Sequence, residues 1–423
     1  MTNTVSMGEV KKLVNYTIDN NLRLQQAGKT PIAIALESSA GIGKTSIVQQ
    51  VAAERGMTAA KISLAQFDEP GDITGYPQIE YECQLAKMVR DEKGNMTRKV
   101  MPGTVWLNVK QLESLEKGTS RQTGRTRMGY AKPAWVPEYN ENGTILLLDD
   151  FNRANPMLLQ SMMEVVLTQK YASWALPKKT TVILTSNPED GQSNVNGLDE
   201  AQRTRFLNFE VKWDSAEWCR WAEKSGLDGR CINFVMNYAD ELFGADENGE
   251  RICNPRSFTM FADMISGVQD WDSPESLSFI TGIAKGCFKD EDSKFAGMFS
   301  SFIRSKMHLL IQPREMLLGA WDRVRTQMES VLYDSDGQYR PDIASILERR
   351  FANYVPAWLD SEEKTPIATV RDRILDFIGA EENGGKRLFS KDLLFHMIKA
   401  ITSSNKGQTN KLLNEPAIVA QMN

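Results

Sequence analysis

The chain has 423 residues, with 50 Lys and Arg against 55 Asp and Glu, a formal charge of −5 and 41% hydrophobic residues. That balance excludes a disordered chain, which carries fewer apolar residues and more net charge, and it excludes a globally basic nucleic-acid binder. No run approaches the roughly 20 apolar residues of a membrane span, and the N-terminus has no signal-like apolar core.

Residues 8–27 place apolar side chains at helical spacing. Pro31 then opens a short β run at 32–36, followed by a small-residue loop and a helical stretch from Lys44 to about Arg55. Further β runs lie at 59–64, 144–148, 180–185 and 206–211, mostly separated by helical patterns such as 156–167. Apolar strands alternating with helices predict an α/β fold with a five-stranded, mainly parallel sheet covered on both faces. After Trp213 the β signals stop and helical periodicity continues to about residue 404. The expected organisation is an α/β domain over 1–212, a helical domain over 213–300 and a helical C-terminal extension over 301–423.

One stretch breaks this rhythm. Residues 87–132 hold eleven Lys and Arg against four acids, a local charge of +7, and the segment 116–133 is rich in Gly, Ser and Thr. It reads as a long, mobile insertion. The five cysteines (Cys83, Cys219, Cys231, Cys253, Cys287) form no CxxC pair and read as reduced, buried thiols in a cytosolic compartment. His308 and His396 are the only histidines and lie far apart, so neither a histidine metal site nor a histidine triad is expected.

After the first β run the sequence is Ser38-Ser39-Ala40-Gly41-Ile42-Gly43-Lys44-Thr45-Ser46. This is G-x-x-x-x-G-K-[ST] with serine at the first glycine. Small residues let successive N–H groups turn around a polyanion, and the helix beginning at Lys44 adds its dipole. Lys44 supplies a point charge to the β- and γ-phosphates, and the Thr45 hydroxyl can ligate Mg²⁺. Gly28-Lys29-Thr30 also spells GKT, but it follows a helix and is stopped by Pro31, so it reads as a helix C-cap. The run at 144–148 ends in Asp149-Asp150, a metal-associated acid followed by a water-activating base.

These residues carry a family resemblance. The segment LLLDDFNRANPMLLQSMMEVV resembles the acidic-strand motif of MoxR-like AAA+ ATPases, and TSNPED resembles their sensor-1 segment. LDEAQRTRF (198–206) is similar to the stretch holding their arginine finger, CNPRSF (253–258) to the start of their sensor-2 helix, and FDEPGDITGYPQ (67–78) to the segment after their second strand. The resemblance covers about residues 30–270. It implies ATP and Mg²⁺ as substrate and cofactor, Asn187 positioning water, Arg205 inserted into a neighbour's site, and Arg256 over its own subunit's phosphates. Two positions depart from the family. Asp150 stands where the family has Glu, and Thr204 replaces the Asp before the finger, so Arg203 is an alternative to Arg205. Arg314, in QPRE, reads as a helix-start charge.

A finger acting in trans implies a homo-oligomer, which the resemblance makes a hexamer remodelling a protein client such as a von Willebrand A domain protein. The basic stretch 117–132 suggests a second reading, a nucleic-acid-dependent motor or loader in a phage or mobile-element setting. A third is a nucleotide-gated scaffold in which Asp150 barely hydrolyses. Trp106, Tyr130 and Trp135 near the basic stretch either stack on bases or pack locally, and Tyr171 and Trp174 in a short hairpin at 169–177 are either exposed or packed at an edge.

Overall fold

The structure, a computed structural model, describes residues 4–90, 96–116, 119–189, 195–245, 251–289, 293–334, 336–361, 367–381, 384–404 and 409–422. The chain divides into two compact units, Met1–Lys212 and Trp213–Asn423.

In the first unit a three-residue strand β1 (Thr4–Ser6) leads into helix α1 (Met7–Gln26), capped by Ser6 and Glu9 in a capping box. Strand β2 (Ile34–Glu37) precedes helix α2 (Lys44–Glu54), and β3 (Thr58–Ser63) precedes the one-turn helix α3 (Pro70–Thr74). The inserted strands are β4 (Pro77–Arg90), β5 (Met96–Val100), β6 (Val105–Asn108) and β7 (Ser120–Tyr130), with the short helix α4 (Val109–Glu113) after β6. Strand β8 (Thr144–Asp149), helix α5 (Pro156–Thr168), the hairpin β9 (Lys170–Tyr171) and β10 (Trp174–Ala175), strand β11 (Thr180–Ser186), helix α6 (Glu200–Arg203) and β12 (Leu207–Lys212) complete the unit.

The main sheet has six strands in the order β1-β12-β2-β11-β8-β3, every pair parallel. The predicted five strands form its body. The sixth, β1, pairs beside β12, and three residues running straight into a helix carry too little pattern to show as a strand. One face packs on α5 through Leu146, Leu148, Val182 and Leu184. The other packs on α1 and α2 through Ile34, Leu36, Ile145, Leu147 and Ile183. Burial on both faces explains the unbroken apolar runs. Strand β11 lies between the loop-bearing β2 and the acid-bearing β8.

The insertion is not a mobile loop over its described residues. Strand β4 is central, paired antiparallel with β6 on one side and β7 on the other, and with β5 further along. Strand β7 is exposed at eight of its eleven positions. With both faces wet it needs no hydrophobic alternation, so its Gly- and Thr-rich sequence conceals a strand. Residues 91–95 and 117–118, which hold part of the basic stretch, lie outside the described residues. The insertion enters and leaves by one stem. The Ala131 amide donates to the Tyr76 carbonyl at 2.9 Å. Gly75, at φ +85°, sits so close to the Ala131 carbonyl that a Cβ would approach its oxygen to 1.8 Å.

The second unit is helical among its described residues: α7 (Ser215–Ser225), α8 (Gly229–Phe243), α9 (Pro255–Ile265), α10 (Pro274–Cys287), α11 (Lys294–Arg304), α12 (Pro313–Leu318), α13 (Trp321–Leu332), α14 (Pro341–Ser361), α15 (Ile367–Gly379), α16 (Lys391–Ser404) and α17 (Pro416–Ala420). It has two cores. One, rich in phenylalanine, runs from Trp218 to Ile303, and the other from Leu310 to Ile418. A buried polar cluster joins helices of both: Arg350 donates to Glu223 at 2.6 Å, Asn233 at 3.2 Å and Gln312 at 2.8 Å. Cys83, Cys219, Cys231 and Cys253 are free and buried, and burial pushes the Cys219 thiol up to about 12.

Candidate nucleotide site

In a parallel sheet the loops leaving the C-terminal strand ends share one edge, where sites form. The loop 38–46 leaves β2 there, Asp149 ends β8 and Asn187 follows β11.

Gly41 (φ +84°) and Gly43 (φ +103°) adopt the left-handed backbone that a loop curling over its own N–H groups requires. Ser38 is not among the positive-φ residues, so the missing first glycine costs no strain. Its amide donates to the Ser186 carbonyl at 3.2 Å, tying the loop to β11. Ser38 and Lys44 are buried, Ser39, Gly41, Ile42, Gly43 and Thr45 are half-buried, and Ala40 and Ser46 are exposed. Lys44 Nζ donates to the Ser38 carbonyl at 2.7 Å, Ser38 Oγ at 2.9 Å and the Ser39 carbonyl at 3.2 Å, with Asn187 Oδ1 at 3.5 Å.

The two acids are held differently. Asp149 Oδ1 accepts from the Thr45 hydroxyl at 2.6 Å and the Thr185 hydroxyl at 2.7 Å, while its Oδ2 meets Lys61 Nζ at 2.8 Å. Burial raises the Asp149 pKa, but the donors Lys61, Thr45 and Thr185 outweigh it and leave the carboxyl below its ordinary value. Asp150 has left-handed backbone, φ 49° and ψ 44°. Its amide donates to Thr185 Oγ1 at 3.0 Å, its Oδ1 accepts from Asn187 Nδ2 at 3.1 Å, and its Oδ2 lies 3.5 Å from Arg153 Nε. Asn187 is fixed in turn by Asn152, which donates to the Asn187 carbonyl at 2.7 Å and accepts from its amide at 3.2 Å. Burial, the largest influence, pushes the Glu37 carboxyl at the end of β2 above its ordinary value, with Arg203 and Lys44 opposing.

The structure therefore brings together Lys44, Thr45, Asp149, Asp150 and Asn187. It adds Lys61, Thr185, Asn152 and Arg153, which sequence reasoning missed. Thr185, Asn152 and Arg153 lie inside the quoted motifs, whereas Lys61 enters only through the pairing of β3 with β8.

The two candidate finger residues differ. Arg203 is engaged, donating to Glu189 at 2.9 Å and to the Leu198 carbonyl at 3.0 Å. The Arg205 side chain makes no hydrogen bond or ion pair among the described residues and is half-buried. It precedes β12, whose first residue pairs with Ile34 at the start of β2. Leu207, two residues on, thus lies about 10 Å along β2 from the loop 38–46. Arg256 is exposed in the first turn of α9, in the second unit.

The aromatics pack locally. Tyr130 meets Tyr171 and Trp135 meets Trp174 edge-on at 5.4 and 5.7 Å, Trp174 is buried, and Arg127 stacks on Trp106 at 4.6 Å. No group of three or more His, Cys, Asp or Glu suited to a metal occurs among the described residues, nor any helix long and apolar enough to cross a membrane.

No protein-family model matches the sequence, and no curated protein matches it. Among solved structures the chain is similar to a Cytophaga hutchinsonii protein provisionally described as an ATPase, at 15% identity and TM-score 0.24, over 85% of this chain and 83% of that one. It is also similar to the Thermotoga maritima RuvB Holliday junction branch migration motor, at 13% identity and TM-score 0.27, over 91% of this chain and 87% of that one. Likeness this slight carries nothing about function; strand order and the phosphate loop define the fold.

Proposed function

We propose that this protein is a Mg²⁺-dependent ATPase of the MoxR-like AAA+ kind, working as a homo-oligomeric ring, a hexamer, that remodels a protein client such as a von Willebrand A domain protein. The observation that carries this reading is the convergence of Lys44, Thr45, Asp149, Asp150 and Asn187 at one sheet edge. The loop amides of 38–46 cradle the triphosphate, and the ammonium of Lys44 turns from the loop carbonyls to the β- and γ-phosphates. The Thr45 hydroxyl and the Asp149 carboxylate are adjacent and both oxygen donors, which suits Mg²⁺ held through one hydroxyl and a water-bridged acid. Bound there, Mg²⁺ would neutralise charge on the phosphates.

Asp150 orients the attacking water and accepts its proton, with Asn187 fixing the carboxylate. Arg205, whose side chain makes no hydrogen bond or ion pair among the described residues, is the finger offered to an adjoining subunit, and Arg256 is the sensor-2 arginine that the resemblance implies. Asp150 is about 1.5 Å shorter than Glu, and misplacement of this size costs on the order of a hundredfold in rate. Turnover is therefore slow.

Fluorescent-ATP binding and turnover of Lys44→Ala, Asp150→Asn and Arg205→Ala test this. Loss of binding in the first and of turnover in the other two is expected, with partial recovery when Asp150→Asn and Arg205→Ala subunits are mixed. Nucleotide binding that survives Lys44→Ala would refute the reading. Asp150→Glu then separates a motor from a nucleotide-gated scaffold, because a large gain from near zero marks the scaffold. The exposed Arg121 and Arg125 of β7 favour one second reading, ATPase activity driven by nucleic acid.

A further inference from the structure

Lys61 stands opposite Leu147 in the β3–β8 register, and Asp149 follows two residues later on the same face. Leaning along the strand, its ammonium reaches Asp149 Oδ2 at 2.8 Å. Thr45 and Thr185 already occupy Oδ1. Asp149 is thus an inward carboxylate, its side chain 15% exposed and ion-paired to Lys61, and that cation is 46% exposed on the outermost strand of the sheet. Lys44 is the contrast: buried and bound by loop oxygens. Lys61 can swing into solvent at little cost, whereas Lys44 cannot.

We infer that Lys61 is a displaceable internal counter-ion of Asp149, which competes with Mg²⁺ for that carboxylate and so sets the Mg²⁺ concentration at which nucleotide binds. The inference rests on the assignment of Asp149 to the Mg²⁺ site. A divalent ion near Oδ2 and an ammonium on Oδ2 repel, so cation binding requires Lys61 to leave. Removing the ammonium while keeping its aliphatic stem leaves an uncompensated carboxylate that takes a divalent cation more readily.

The test is a Mg²⁺ titration at fixed fluorescent ATP analogue for the full chain, Lys61→Met and Lys61→Arg, with Mn²⁺ binding followed by electron paramagnetic resonance in the absence of nucleotide. Thermal melting checks that each variant is folded. Lys61→Met should lower both the Mg²⁺ midpoint and the Mn²⁺ dissociation constant about three- to tenfold, while Lys61→Arg stays within about twofold of the parent. Unchanged midpoints would make the ion pair a solvated bystander and overturn the inference. A raised Mg²⁺ midpoint would also overturn it, since Lys61 would then be contacting phosphate itself. Should the parent bind no nucleotide at any Mg²⁺ level, the ATPase reading fails, and the Mn²⁺ comparison still decides the role of Lys61.

Discussion

The C-terminal edge of the parallel sheet and the inserted antiparallel sheet are both rich in charge, yet they hold it in opposite ways. At the first, Lys44 is buried and Asp149 nearly so, each charge met at close range by oxygens or donors. At the second, Arg121 and Arg125 stand in water on a strand exposed along most of its length. One inserted charge is built in: Arg127 pairs with the buried Glu80 at 2.7 Å, and Gly129 leaves room for that carboxylate, since a Cβ there would meet it at 2.3 Å. Buried charge is strong, local and intolerant of change, whereas wet charge is weak singly, screened by salt and useful collectively.

If that contrast holds, the effects of substitution should rank by burial. The largest belongs to Arg350→Met in the second unit, which leaves Glu223 buried without its partner. A loss of about 3–5 kcal/mol is expected in chemical denaturation, much of it recovered when Glu223→Met is added. Next comes Lys44→Ala, where nucleotide affinity should drop on the order of a hundredfold by equilibrium binding, because hydrogen bonds to a charged group are worth about 1.5–3 kcal/mol.

Glu348 gives a pH test. It is 2% exposed, and burial raises its carboxyl to about 7, with Arg349 opposing. Between its ordinary value and about 7 the folded chain holds a proton that the unfolded chain has released. Stability from this group is therefore present at low pH and lost as pH rises through that window, levelling off above it. Glu348→Gln should remove this slope and stabilise the protein by about 1–3 kcal/mol at pH 8, measured by denaturant midpoints across pH. The smallest effect on stability, within about 0.5 kcal/mol, is expected for Arg121→Ala with Arg125→Ala. If the insertion binds nucleic acid, the same pair should lower the salt slope of binding by about 2. An unaltered slope would remove these residues from any such contact.

The same division governs what the sequence alone reveals. Strands β8 and β11 announce themselves because burial on both faces forces unbroken apolar runs, and the phosphate loop is legible because nine consecutive residues carry its geometry. Thr185 and Lys61 are invisible for a different reason. Their partnership with Asp149 depends on how β11 and β3 align with β8, and register is not a local property. Strand β7 escaped because wet faces impose no pattern, and β1 because three residues pair only where β12 already lies. The Thr45–Asp149 pairing was foreseeable from motif chemistry; the left-handed backbone of Asp150 was not, since nothing in Asp-Asp-Phe specifies it.

Gly75 and Ala131 meet back to back at the base of the insertion, with the amide of Ala131 on the carbonyl of Tyr76. Two chain ends that close together make everything between them a detachable cassette. Residues 77–130 could be exchanged for a tight turn and leave the parallel sheet intact, with the Tyr130–Tyr171 edge contact forfeited. The inserted sheet and the parallel-sheet edge would then evolve on separate schedules, the first by swapping cassettes, the second under the tighter constraint of its buried charges.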